Sequence, residues 1–135
     1  MRTISKKELQ QILEQHALWS ASDKQQGARA NLSDTNLSKA DLAGVNLRGA
    51  NLQAADLMGS DLSRADLTGA NLREADLREA DLSGTNLTEA NLRQAILNKT
   101  NLTGADLTKA HLTKADLHEA KLRKVRLTEA DLTGT

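Results

Sequence analysis

Leucine recurs at every fifth position from Leu32 to Leu132, twenty-one times without a gap. Two residues before each leucine stands a small side chain, as at Ala30, Thr35, Ala40, Val45 and Ala50. One residue before stands Asn or Asp in most units, as at Asn31, Asn36, Asp41 and Asn46. Neither regular element explains a period of five. An α-helix turns about 100° per residue, so leucines five apart would spiral around it and form no stripe. In a strand the side chains alternate, and an odd period sends successive leucines to opposite faces. A short extended piece followed by a corner reconciles the two. The small residue and the leucine then share one face, and the corner resets the alternation. Repetition winds the chain into a coil with every leucine inside.

The remaining positions fit corners. Short Asn and Asp side chains hydrogen-bond nearby backbone at bends. Gly44, Gly49, Gly59, Gly69, Gly84, Gly104 and Gly134 all fall two after a leucine, where positive φ is expected.

Before the repeat the pattern changes. Residues 4–19 read as a helix, opened by Ser5 with Glu8 three later, a capping-box spacing. Ile4, Leu9, Ile12, Leu13, His16 and Ala17 lie near one face. Residues 20–27 are polar and read as a connection, and Gly27 stands where a leucine would be expected. The expected division is a capping helix and linker over 1–29 and a repeat domain over 30–135. An open coil exposes an apolar lumen and unpaired edges. Leu9, Ile12, Leu13 and Trp19 are the expected cover.

The unit Ala-(Asn/Asp)-Leu-x-x resembles the pentapeptide-repeat family throughout residues 30–135. The resemblance implies an all-β fold, a right-handed quadrilateral β-helix with four pentads per coil. Residues 20 apart then stack, so Leu32, Leu52, Leu72, Leu92, Leu112 and Leu132 form one inner column, the expected structural core. At about 4.8 Å per coil, five to six coils make a rod roughly 25 Å long. The resemblance also implies end-to-end homodimers through the C-terminal coil, and the chain stops in mid-pattern at Thr135. Some members of the family imitate duplex DNA and bind DNA gyrase.

Composition narrows the rest. There is no Phe, Tyr or Cys and one Trp, as suits a narrow coil of Leu and Ala and excludes a disulfide framework. Burying one leucine contributes about 1.5–3 kcal/mol, offset by ordering its repeat, so stacking between neighbours decides stability. Lys+Arg and Asp+Glu are equal at 18 each, which gives no net field for nucleic acid. No apolar run reaches membrane-spanning length and no signal-peptide core follows Met1, so a cytoplasmic protein without a membrane role is expected.

Departures from the repeat are the candidate sites. Ile96, His111, Lys121 and Arg126 replace Asn or Asp before the leucine. Lys121, Arg123, Lys124 and Arg126 place four cations in six residues, the candidate partner-binding cluster for phosphate, an acidic protein or an anionic head group. Without interleaved aromatics it argues against direct nucleic-acid binding. Between residues 41 and 91 nine acids face four arginines, a mild acidity that carries the gyrase reading. Thr68, Thr88, Thr108 and Thr128 are 20 apart and should stack, as β-branched residues suited to extended backbone.

Chemistry is not supported. His16, His111 and His118 have no metal-ligand spacing, no pattern sets a histidine beside a serine, and the glycines are single. No enzyme, cofactor or metal is expected. The expected function is a non-enzymatic scaffold or interaction module with an unknown protein partner. The alternatives are a DNA-mimic inhibitor or protector of gyrase, and an engineered or truncated repeat scaffold.

Overall fold

A computed structural model describes residues 1–135. From Asn31 onward every pre-leucine residue forms a parallel bridge with the residue 20 further on, from Asn31 with Asn51 to His111 with Asp131. One coil therefore contains four pentads. The bridges are single residues, so there are corners joined by rungs and no long strands. Each rung uses the same bonds: the Leu32 N–H donates to Asn51 O (2.7 Å), Asp34 N–H to Gln53 O (2.9 Å), and Asn51 N–H returns to Ala30 O (3.0 Å).

Each corner is a β-turn. The Ala40 N–H donates to Leu37 O at 3.1 Å, and Lys39, third in the turn, has φ 58°. A type II turn needs positive φ there. The seven glycines named above supply it, and so do fourteen other residues, among them Ala54, Glu74 and Lys109. The corner is thus imposed by the rungs on either side, against the local preference of most residues that occupy it. The pre-leucine side chain supports it, as when Asp61 Oδ1 accepts from both the N–H (2.9 Å) and the hydroxyl (2.6 Å) of Ser63.

Leucines from Leu32 to Leu112 are at most 2% exposed and pack with the small residues into one cluster. Four polar residues enter the interior at small positions. Thr35, Thr85 and Thr100 donate to backbone carbonyls, and the Ser60 hydroxyl has no partner. The expected core column fails at its end. Leu132 is 38% exposed, because its coil has a neighbour on one side only. Leu122 and Leu127 share that exposure.

Helix α1 spans Lys6–Ala21, displaced by two residues from the expected 4–19. The Ser5 hydroxyl caps it by accepting the Glu8 N–H at 3.0 Å, which leaves Ile4 outside the helix. At the other end the Ser22 N–H donates to Leu18 O and extends the last turn. Ile4, Leu9, Ile12 and Leu13 are half-buried against the leucine core. One contact was not visible in the pattern. Arg2 bridges Thr35, donating its N–H to Asp34 O and accepting from Asn36 N–H at 2.7 Å. It adds a rung to the first coil and covers part of that edge. No helix is long and apolar enough to cross a membrane.

Candidate functional site

The 20-residue coil sorts outer residues into four columns. Asp41, Asp61, Asp81, Asn101 and Lys121 are bridged in series and form one of them. Beside it run Ala43, Ser63, Ser83 and Thr103, with Gly44, Gly84 and Gly104 at three of the corners. The column is therefore low in profile, acidic in its first coils and basic at its last. Two bonds from Ser63 hold the Asp61 carboxyl below its ordinary range.

The last coil carries the cationic cluster. Lys121, Arg123 and Lys124 belong to one pentad, all three are exposed, and none forms an ion pair. Arg126 is the second residue of the next pentad and lies on the adjoining side. Its guanidinium is 3.7 Å from the Asp106 carboxylate one coil earlier, with most of the arginine in solvent. The structure thus separates Arg126 from the other three. Leu122 is exposed in the same pentad as the first three cations, and Leu127 in the pentad of Arg126.

Other departures from the repeat stand apart. Ile96 is 37% exposed in a different column, bridged to Asp76 and Asp116. His111 sits beneath the asparagine ladder of Asn31, Asn51, Asn71 and Asn91, with Arg93 Nη2 3.4 Å from its Nδ1. His118 donates its N–H to Asp116 Oδ1. The three histidines lie on separate parts of the molecule, and no group of His, Asp and Glu is placed to hold a metal ion. Depressions in the surface are shallow. One of about 340 Å³ lies between the end of α1 and the coils, lined by Trp19, Lys24, Arg48, Gly49 and Glu89.

At the opposite end Trp19 lies half-buried over Gly49 and stacks on His16, ring centres 5.2 Å apart. His16 is fully covered, and its Nδ1 accepts the Ala30 N–H at 2.9 Å. The sequence set His16 on the apolar face and gave no sign of this bond.

A family model described as pentapeptide repeats (8 copies) matches residues 28–64, 60–98 and 100–135. The chain belongs to the pentapeptide-repeat family. This pentapeptide-repeat protein is similar to the crystal structure of Rfr23, a pentapeptide-repeat protein from the cyanobacterium Cyanothece 51142. They share 33% identity over 76% of this chain and 83% of that one, with a TM-score of 0.74. A trypsin-treated form of QnrB1, a plasmid-mediated fluoroquinolone resistance protein, shares the fold at 22% identity and a TM-score of 0.72. That match covers 81% of this chain and 54% of QnrB1, so this chain spans about half the length of QnrB1. A comparison with curated proteins finds no match.

Proposed function

We propose that the protein is a non-catalytic scaffold, a right-handed square β-helix, that docks an acidic protein surface on its last coil. The observation that carries this reading is the grouping in one pentad of three exposed, unpaired cations, Lys121, Arg123 and Lys124, with the exposed Leu122. Cations at a rim steer encounter, and a desolvated apolar centre holds the partner. The test is recovery of partners from the source cell with the intact protein and with a variant in which Lys121, Arg123, Lys124 and Arg126 are replaced by Ser or Asn. Loss of a partner from the variant supports the reading; equal recovery of every partner overturns it. The same coil could instead pair two copies end to end, which would show in light scattering as a mass that rises with concentration.

The second reading is a DNA mimic acting on DNA gyrase. What favours it is the series Asp41, Asp61 and Asp81, carboxylates on successive coils of one outer column. Against it stand Arg48, Arg64, Arg73 and Arg78, which interrupt the acidic field. A gyrase supercoiling assay decides: neither inhibition nor protection at high protein excess removes this reading.

A further inference from the structure

His16 is the one ionisable side chain fully buried in this protein, and it lies at the joint between α1 and the first coil. Its Nδ1 accepts the N–H of Ala30, the first residue of the first pentad. An accepting ring nitrogen bears no proton, so the ring is neutral with its proton on Nε2. Nε2 is buried and has no hydrogen-bond partner. The Arg48 backbone, the polar group that favours a charged ring, lies outside hydrogen-bonding geometry.

We infer that His16 is an acid-sensitive latch: a proton on Nδ1 would set a donor against the Ala30 N–H and release α1 from the first coil. A charged imidazolium here would be buried with one donor set against the Ala30 N–H and the other facing the Arg48 backbone outside hydrogen-bonding geometry. Undocking hydrates it. The surface then uncovered is the apolar end of the first coil, against which Ile4, Leu9, Ile12 and Leu13 pack.

The surroundings reinforce the sign. Burial is the largest influence and pushes the ring below its ordinary 6.5, and the guanidinium of Arg29, the residue before the first pentad, pushes the same way. On the helix side the ring meets Trp19, over which Lys24 Nζ lies at 5.7 Å. Asp23 and Glu89 line the cleft beside Trp19 but are not among the groups that bear on the ring. The docked pKa is lower than the undocked one, so docking is at full strength above 6.5 and weakens as pH falls below it. One proton is taken up on opening, so the opening constant rises about tenfold per pH unit until the docked ring itself titrates.

The test is the protection factor of the Ala30 amide against hydrogen exchange, corrected for intrinsic rate, between pH 7.5 and 5. Emission of Trp19, the only tryptophan, is followed alongside. In the intact protein, protection should fall about tenfold per pH unit below 6.5. His16→Asn keeps an acceptor where Nδ1 stood and takes up no proton, so its protection should not change with pH. A double variant, His111→Asn with His118→Asn, leaves the latch intact and should behave as the wild type. Protection independent of pH in the wild type, a pH dependence retained in His16→Asn, or one lost in the double variant would each overturn the latch.

Discussion

Gly27 lies so close to the Gln15 carbonyl that a Cβ at position 27 would stand 2.2 Å from that oxygen, with Leu18 Cβ at 2.8 Å. Its φ of +71° is also one that other residues adopt at a cost of about 1–2 kcal/mol. The Ala28 N–H donates to the same Gln15 oxygen at 3.1 Å, so the chain turns back against the end of α1 here. Gly27→Ala should therefore loosen the cap while leaving the coils intact. Trp19 emission should report a cap that melts before the coils, whereas in the parent the two should melt together.

Ser60 and Thr85 make opposite predictions from equivalent positions. The Thr85 hydroxyl donates to Leu62 O at 2.7 Å in the interior, and that of Ser60 has no partner. Thr85→Val keeps the shape and removes the bond, at an expected loss of about 0.5–1.5 kcal/mol. Ser60→Ala removes an unpaired buried hydroxyl and restores the residue most common at this position, with an expected gain of about 1 kcal/mol. Urea denaturation of the two variants checks both signs.

The interior is not uniform along the rod. Leu72 is wholly buried between coils, and Leu132 is 38% exposed. Leu72→Ala is expected to cost about 2–5 kcal/mol by opening a cavity. Leu132→Ala should cost less than half as much. Equal losses in chemical denaturation would show that the last coil is covered in solution.

Carboxylates set a second pH dependence, well below that of His16. Asp76 is held below its ordinary 3.8 first by hydrogen bonds from the Arg78 guanidinium, and Asp106 by those from Thr108. Their folded values are depressed, so the stability they contribute is present above 3.8 and is lost as pH falls through the lower folded values. In His16→Asn, where the histidine no longer contributes, the melting temperature should hold down to about pH 4 and fall below it. Asp76→Asn should flatten part of that fall.

Much of the fold was legible because the coil is written locally. The leucine row predicts the interior, the Asn and Asp row predicts the capped corners, and the 20-residue stacking is observed rung by rung. What was not legible occurs once. The Arg2 rung, the tight approach at Gly27 and the His16–Ala30 bond join segments that share no period. The exposure of Leu132 was missed because a repeat pattern describes an infinite coil and carries no information about which turn lacks a neighbour. The cationic cluster was visible as composition; that Arg126 stands apart from it follows only from where the corner falls.

Interior and exterior are specified by separate letters of each five-residue word. A substitution on the outside leaves the wall behind it unchanged, and side chains on successive turns keep a pitch of about 4.8 Å whatever their neighbours become. Recognition on such a surface is composed the way a ruler is marked, by choosing which graduations bear charge. Such a surface can be re-marked without any hinge, lid or flexible loop.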